Sequence, residues 1–531
     1  MEVIKQEKKR NGIRRAVIAA LAILVQIAWS VLLMLVFESQ YKWLSGVVSV
    51  IAVLVVLALF ARNTNSAFKL PWIILILIVP MFGLILYFLT GHSSYNKWQI
   101  RTHLKTYEDL LKMLPDGSRT IRKLEESRYG RQMANQARYV YEQAGFTPYL
   151  AQDGNDITYY SSASECYEQM LEDILEAQSF VLLEYYAIEN AKSFRRMEEI
   201  LAKKTKEGVT VRILYDEIGS IGFINRDFVK KMTSIGVECK IFNPIVPMAN
   251  VLMNNRDHRK IAVIDGRIGY TGGFNLADEY FNIVKPYGYW KDTAVRLRGE
   301  CVKNLTITFL ESWNSMGQAL SDKEKEFITP PNPDVELDRE IKADSEDRNE
   351  PSLILPFADT PIDETLTGEN VYMNIIGSAS DYLWFSSPYL IVDDEMIRAL
   401  TLAAARGVDV RILIPAIPDK KIIYRVTRSY ASILAQGGVK IYHYTPGFNH
   451  AKQCVCDDTY AVCGTINLDY RSLYLHFEDA VLFANCDAVT DMKQDFESLW
   501  SDSLDCTEKY IKRKPYKRFF DYVLKLLAPL F

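Results

Sequence analysis

The segment His258-Arg259-Lys260-Ile261-Ala262-Val263-Ile264-Asp265 is the most informative part of the chain for both fold and chemistry. Its pattern, His-x-Lys-x-x-x-x-Asp, occurs a second time with His450, Lys452 and Asp457. A pair of small residues lies fourteen positions after each His, and an Asn lies seventeen positions after it, at Asn275 and Asn467. The chain has only six His among 531 residues, so two copies with one downstream register indicate a duplicated functional unit.

These residue types suit phosphoryl chemistry. A neutral imidazole can attack phosphorus, and a second imidazole can protonate the leaving oxygen. Lysine ammonium groups offset the charge on the equatorial oxygens, and Asn amides donate hydrogen bonds to them. No carboxylate constellation that would hold Mg²⁺ accompanies the motifs, so no metal and no cofactor is expected. The two copies predict a symmetric phosphate clamp with these catalytic motif residues: His258, Lys260, Asp265, His450, Lys452 and Asp457.

The positions within one motif are not equivalent. His258 and Lys260 are two residues apart, which places them on the same side of a strand. Asp265 is an odd number of residues away and follows an apolar run, at the end of that strand. We expect Asp265, and Asp457 in the second copy, to cap or orient the following turn rather than to touch phosphate.

A second repeat is independent of the His motifs. Gly208-Val209-Thr210-Val211-Arg212-Ile213-Leu214 matches Gly407-Val408-Asp409-Val410-Arg411-Ile412-Leu413 almost letter for letter. Each copy lies in an alternation of strands and helices, with strands predicted over 180–188, 209–215, 382–389 and 408–415. The pattern predicts an α/β fold of two homologous halves, residues 161–320 and 353–505, related by a pseudo-twofold axis. Residues 321–352, rich in charge and Pro, are expected to form an exposed linker.

The N-terminal region has a different composition. Three apolar runs without charged residues cover 16–37, 44–61 and 71–90. At ~1.5 Å rise per residue, each is long enough to cross a ~30 Å hydrocarbon core as a helix. Pro80 would kink the third helix, which membrane helices tolerate. The sequence therefore predicts a transmembrane helical region over 1–91, a multi-pass location in the cell membrane, and a helical connector over 92–160.

The side of the membrane that the catalytic region faces stays open. Basic residues before residue 16 place the N-terminus inside, and three crossings would then put the catalytic region outside. The eight Cys, all after residue 160, favour a reducing cytoplasm if they are unpaired. The tail, 506–531, combines basic and apolar residues at helical spacing. It suits either an anionic membrane surface or a helix docked on the protein body.

Three other features of the sequence are expected to have no role in binding nucleic acid, in binding metal or in catalysis. Charged residues make up 24% of the chain with a net charge of -4, so no basic field invites nucleic acid as a partner. Cys454 and Cys456 alternate with Val455 and are expected to be buried strand thiols rather than zinc ligands. His443 and His476 have no equivalent in the first copy and are expected to be peripheral.

The paired motifs resemble the phospholipase D superfamily, and the whole chain resembles its bacterial cardiolipin synthase branch. The resemblance extends to Leu182-Leu183-Glu184-Tyr185-Tyr186, to the segment from Gly272 to Tyr280, and to Tyr289-Trp290-Lys291-Asp292-Thr293. It implies transfer of a phosphatidyl group between two phosphatidylglycerol molecules, giving cardiolipin and glycerol through a phosphohistidine. A phospholipase D that uses water, or a phosphatidylserine synthase that uses serine, is an alternative, because the sequence does not determine the acceptor alcohol.

The same resemblance implies roles for four residues outside the motifs. A nucleophilic imidazole needs its other nitrogen held by an acceptor, and the family supplies a downstream carboxylate for this. Asp292-Thr293-Ala294-Val295 matches Glu478-Asp479-Ala480-Val481, so Asp292 and Glu478 are the candidates. Asn275 and Asn467 are expected to bind phosphate or to orient the site. The family resemblance favours His258 as nucleophile and His450 as general acid, whereas symmetry alone leaves even odds. The sequence does not indicate an oligomeric state.

Overall fold

The chain is described here from a computed structural model. It covers two isolated residues, 25 and 28, and these segments: 42–62, 64–91, 97–127, 130–151, 156–225, 227–244, 255–314, 320–328, 351–363, 365–512, 524–526 and 528. The predicted span 16–37, apart from residues 25 and 28, lies outside the described residues. So do most of the predicted linker 321–352 and most of the tail beyond residue 512.

Between residues 42 and 91 the structure describes three helices, α1 (Lys42–Ala61), α2 (Ser66–Ile78) and α3 (Pro80–Thr90), which precede the connector. The run 71–90, expected as one kinked helix, is two helices, because Pro80 has no N–H to continue α2 and instead occupies the first turn of α3. Gly83 lets the two helices approach, since a Cβ there would lie 2.6 Å from the Cα of Ile76. Within the described residues, no helix is both long and apolar enough to span a membrane.

The connector is helical. It contains α4 (Lys97–Leu111), α5 (Ser118–Glu125) and α6 (Gly130–Tyr139), then a π-helical turn over Val140–Ala144 and the short strand β1 (Tyr149–Leu150). Its buried apolar side chains, among them Tyr107, Ile121 and Met133, pack into the core of the second half of the chain. The connector is therefore part of the globular body.

The first half is built on a seven-stranded sheet with the strand order β2-β9-β7-β6-β3-β4-β5. Its strands are β2 (Ile157–Tyr160), β3 (Phe180–Tyr185), β4 (Thr210–Asp216), β5 (Glu238–Phe242), β6 (Lys260–Ile264), β7 (Ile268–Gly272), β8 (Tyr289–Lys291) and β9 (Ala294–Arg298). Its helices are α7 (Ala163–Glu176), α8 (Lys192–Lys206), α9 (Glu217–Ser220), α10 (Asp227–Ser234), α11 (Val302–Asn314) and α12 (Asp322–Ile328).

The second half repeats this plan. Its strands are β10 (Leu353–Asp359), β11 (Tyr382–Ser386), β12 (Leu390–Ile391), β13 (Asp409–Pro415), β14 (Lys440–Tyr444), β15 (Gly447–Asn449), β16 (Gln453–Cys456), β17 (Tyr460–Gly464), β18 (Leu468–Asp469), β19 (Glu478–Ala484) and β20 (Ser503–Asp505). Its helices are α13 (Thr367–Ser378), α14 (Asp394–Ala405), α15 (Lys421–Gln436), α16 (Tyr470–Tyr474), α17 (Asp487–Ser501) and α18 (Thr507–Ile511). The sheet order is β1-β10-β19-β17-β16-β11-β13-β14-β20.

The strand orders confirm the predicted duplication. From β10 to β14 the second sheet has the order of the first from β2 to β5, with β1 and β20 added at its edges. The repeated Gly-Val-x-Val-Arg-Ile-Leu segments form β4 and β13, and each pairs in parallel with both neighbours. The strand expected over 180–188 ends at Tyr185 because the following backbone turns toward other partners; the N–H of Ala187 donates to Asn275.

The two sheets pack against each other through one apolar layer. Side chains from the first sheet, such as Leu182 and Val263, share a buried cluster with Val455 and Phe483 of the second. Burying one such side chain contributes ~1.5–3 kcal/mol, so this layer fixes the two halves relative to each other. Cys454 and Cys456 face the opposite side of their sheet as buried thiols, as expected from their alternation with Val455.

Candidate active site

Each motif histidine is held by backbone from the other half of the chain. Strand β8 pairs in parallel with β15, and the N–H of His450 donates to the carbonyl of Lys291 at 2.8 Å. On the opposite side, Asp257 forms a bridge with Phe477, and the N–H of His258 donates to the carbonyl of Phe477 at 2.9 Å. These two contacts place the histidines on the interface between the halves.

The carboxylates cross between the halves in the same way. Nδ1 of His258 lies 2.9 Å from Oε1 of Glu478, and Nδ1 of His450 lies 2.6 Å from Oδ2 of Asp292. Both carboxylates are buried. An ionised carboxylate only accepts, so each Nδ1 donates, and each Nε2 is left with its lone pair.

The small residues downstream of each motif make room for these carboxylates. A Cβ on Gly273 would lie 1.8 Å from Oδ1 of Asp292, so only glycine fits beside this side chain. At the equivalent position, the hydroxyl of Thr465 donates to the longer side chain of Glu478. The second member of each small pair is thus explained by its contact with a carboxylate, whereas a Cβ on Gly272 or Gly464 would lie 2.4 Å from a backbone carbonyl oxygen of the neighbouring strand.

Two buried lysines give the site its positive charge. Nζ of Lys260 donates to the carbonyl of His258, and Nζ of Lys452 lies 2.8 Å from Nδ1 of His450. Burial lowers the pKa of Lys260 to about 8 and that of Lys452 to about 7. Burial, followed by the charges of these lysines, lowers the pKa of both histidines well below its usual range. The free site therefore holds neutral imidazoles at neutral pH.

Burial acts on Asp292 in the opposite direction. It raises the pKa of this carboxyl to about 6, although the charge of Lys452 offsets part of the effect. Asp292 is then ionised at pH 7 but protonates in mildly acidic solution. The partner of His450 is therefore more sensitive to acid than an ordinary aspartate.

The two asparagines are buried, but they differ in their contacts. Oδ1 of Asn275 accepts from the N–H of Ala187, and its Nδ2 donates to the hydroxyl of Tyr280, whose ring packs on His450. Oδ1 of Asn467 has no hydrogen-bond partner within the part of the chain that the structure describes. Asn275 thus orients an aromatic wall of the site.

The aspartates that end the two motifs lie away from the histidines. The carboxylate of Asp265 accepts from the backbone N–H groups of residues 178, 179 and 180 at 2.8 Å. This contact lies at the C-terminal end of β6, roughly 15 Å along the strand from Lys260. Asp457 accepts from residues 380, 381 and 382 in the same way. These contacts agree with the expected turn-capping role of Asp265 and Asp457, and that neither carboxylate takes part in the chemistry stays a prediction.

The expectation that His476 is peripheral is wrong, because this residue lies beside His258. Its ring packs against that of His258 at 5.6 Å between centroids, and its Nδ1 lies 3.7 Å from Oε1 of Glu478. His443, in contrast, bonds the hydroxyl of Tyr510 at 2.8 Å, and its ring packs against those of Tyr424 and Tyr510.

A sequence signal for His476 exists. The alignment of Asp292 with Glu478, extended two residues toward the N-terminus, places Trp290 opposite His476. Trp290 packs on His450 at 5.3 Å, just as His476 packs on His258. The two halves therefore differ at one wall of the site.

Two family models match the chain. A family model described as "Cardiolipin synthase, PLD-like domain" matches residues 170–288 and 372–500, and one described as "Phospholipase_D-nuclease N-terminal" matches residues 47–92. The first model covers both motifs, and the second covers most of α1 and all of α2 and α3.

Relatives match nearly the whole chain. Cardiolipin synthase 2 of Bacillus anthracis is 30% identical, over 91% of this chain and 90% of that protein. A cardiolipin synthase of Staphylococcus aureus strain Mu50 is 32% identical, over 88% and 92%. The solved structure of phosphatidylserine synthase from Haemophilus influenzae covers 74% of this chain and 99% of its own, with a TM-score of 0.55 and 14% identity, a likeness of fold alone.

Proposed function

Because the chain belongs to the cardiolipin synthase family of phospholipase D-like enzymes, we propose that it joins two phosphatidylglycerol molecules into cardiolipin and releases glycerol. The chain is a phosphatidyltransferase, and the proposal concerns its donor, its acceptor and its mechanism. The observation that supports it best is the crossed pairing of His258 with Glu478 and of His450 with Asp292. This pairing leaves the Nε2 atoms of both histidines available to act on one phosphodiester.

In the first step, Nε2 of His258 attacks phosphorus and the bond from phosphorus to the glycerol oxygen breaks. His450 donates a proton to that oxygen, so neutral glycerol departs. Burial, followed by the charges of the two lysines, lowers the pKa of His450. Binding of the phosphodiester anion offsets the lysine charges, which lets this histidine hold a proton. The phosphatidyl group is left on His258, and Glu478 balances the charge of the phosphorylated ring.

In the second step, a hydroxyl of another phosphatidylglycerol gives its proton to His450 and attacks phosphorus. The bond between phosphorus and His258 breaks, and cardiolipin is formed. Lys260 and Lys452 offset the charge on the phosphoryl oxygens in both steps, and in this proposal the amide of Asn467 donates a hydrogen bond to them. The proton balance closes over the two steps, and neither step uses a metal or a cofactor.

The test is product analysis with the purified full chain and phosphatidylglycerol as the only lipid. We expect cardiolipin and glycerol in equal amounts. Phosphatidic acid as the main product would instead identify a hydrolase, and a strict need for serine would identify a phosphatidylserine synthase. The variant His258→Ala is the control, since it must abolish product formation by either route.

We further propose that the N-terminal helices attach the enzyme to the cell membrane. Large apolar side chains are exposed along α1 and α2, and Val50, Leu54 and Phe60 each have 60% or more of their surface open. Monomeric soluble proteins rarely expose such a patch, and a bilayer would cover it. The multi-pass anchor predicted from the sequence stays a proposal, since no described helix is long and apolar enough to span a membrane and most of the predicted span 16–37 lies outside the described residues.

The C-terminal tail is proposed to dock on the body rather than to lie only on the membrane. Ala528 is fully buried, and Leu524 packs against the core of the second half. Nζ of Lys525 lies 3.7 Å from Asp394 and 4.9 Å from the ring centre of Tyr430. These contacts favour a docked tail among the two alternatives.

A further inference from the structure

One side of the site contains more nitrogen ligands than the proposed reaction uses. Within the described residues, neither ring nitrogen of His476 has a hydrogen-bond partner, although the residue is only 9% exposed. A buried, unpaired polar group is costly, so an imidazole in this position indicates a ligand that the ring can bind.

The neighbours of His476 complete a ligand set. Three atoms that could bind a metal ion, one each from His258, His476 and Glu478, all lie within 4.8 Å of one another. Two imidazoles and a carboxylate form one of the sets that hold catalytic zinc, with N and O ligands at ~2.0–2.2 Å and a fourth position open. Tetrahedral binding needs ligand separations of roughly 3.4 Å. The unpaired ring of His476 can therefore meet the ion with a small shift.

From this geometry we propose that Zn²⁺, or a similar borderline-soft divalent ion, binds to His258, His476 and Glu478 and reversibly switches the enzyme off. Glu478 offsets part of the charge of the ion. An anion as the fourth ligand, held by Lys260 and Lys452, offsets the rest.

The chemical reason for inhibition is the tautomer of His258. Without metal, Nδ1 carries the proton, which it donates to Glu478, and the lone pair of Nε2 is free to attack phosphorus. An ion on Nδ1 takes the lone pair of that atom, so the one proton of the neutral ring must reside on Nε2. That nitrogen can then no longer attack. The inhibition by zinc rests on the proposed role of His258 as nucleophile, whereas the binding of zinc does not.

The other half of the chain provides an internal control. At the equivalent place, His450 and Asp292 are accompanied by Trp290, whose indole cannot bind the ion. The wild-type chain should therefore bind one zinc ion at the site rather than two. Trp290→His should create a second, equivalent set of ligands.

The experiment is titration of metal-stripped, full-length protein with Zn²⁺ alone, against a chromophoric chelator. We expect one tight site in the wild type, a loss of affinity of at least about 100-fold in His476→Asn, and two sites in Trp290→His. Equal affinity in wild type and His476→Asn would overturn the proposal. A single zinc site in Trp290→His would also overturn the proposal. Circular dichroism verifies that each variant is folded.

Activity is measured separately, as cardiolipin formed from phosphatidylglycerol at increasing Zn²⁺. We expect the zinc concentration that gives half-maximal inhibition to equal the midpoint of the binding curve, and EDTA to restore activity in full. In His476→Asn the loss of zinc sensitivity should match the loss of zinc affinity. Zinc binding without inhibition would overturn the switch. A protein that makes no cardiolipin under any condition, yet binds one zinc ion, would count against the proposed function and leave the metal site standing.

Discussion

Nδ1 of His450 lies 2.6 Å from Oδ2 of Asp292, although 158 residues separate them and they belong to different halves of the chain. His258 and Glu478 form the same contact in the opposite direction. Neither half can therefore orient its own histidine, and the functional unit is the assembled pair. This dependence explains why the two sheets share one buried apolar layer instead of being joined as separate domains.

Replacing the carboxylates should slow catalysis without unfolding the chain. Asp292→Asn and Glu478→Gln keep the shape of the side chains but no longer fix the tautomer or balance an imidazolium. We expect kcat to fall by roughly 10²–10⁴ in each case. Steady-state assays with thermal unfolding of the same samples test this, and near wild-type turnover in either variant would contradict the orienting role.

The two histidines should differ when the leaving group is good. Without a general acid, an alkoxide must depart unprotonated, whereas without the nucleophile no phosphatidyl-enzyme can form. An activated lipid analogue should therefore partly rescue His450→Ala but not His258→Ala. The measurement is phosphohistidine trapping on both variants. Label retained in His258→Ala and absent from His450→Ala would reverse the assignment.

Turnover should show a narrow pH optimum. Asp292 holds His450 only when ionised, so activity should fall as the pH drops below about 6. Lys452 supplies its positive charge only when protonated, so activity should also fall as the pH rises past about 7, with Lys260 following at about 8. In Lys452→Arg the alkaline fall should move to higher pH, because guanidinium keeps its charge. An unchanged alkaline limb in this variant would exclude Lys452 as its cause.

The motif aspartates should matter for stability rather than for chemistry. Asp265→Ala removes the acceptor of three backbone N–H groups and puts Ala at a φ of 53°, which L-residues other than Asn and Asp rarely adopt. We expect the free energy of unfolding to fall by roughly 2–3 kcal/mol. Asp265→Asn tolerates the φ and is the milder control. A loss of kcat in the folded protein as large as that of Asp292→Asn would contradict this view.

The N-terminal helices should support the active site as well as the membrane attachment. Nδ2 of Asn65 donates to Asp393 at 2.8 Å, and Phe68 packs edge-on against Tyr474 in α16. The carbonyl of Arg471, in the same helix, accepts from the N–H of His476. We expect Phe68→Ala to lower kcat several-fold while membrane binding is retained.

Leu70→Ala, on the same helix but 49% exposed, is the matched control for Phe68→Ala. Equal effects of the two substitutions on kcat would show that α2 acts only as an anchor. Flotation with lipid vesicles separates membrane binding from turnover in both variants.

From the amino-acid sequence alone we predict the duplication, the α/β class and the motif histidines and lysines, because they depend on local spacing and on a repeat along the chain. The capping role of Asp265 also followed, since alternation along a strand fixes which face a residue occupies. Only the folded structure reveals that the carboxylates cross between the halves, that His476 approaches His258, and that α16 packs against Phe68. These contacts join residues far apart in the chain, and their geometry comes from the packing of one sheet on the other, which no local pattern encodes.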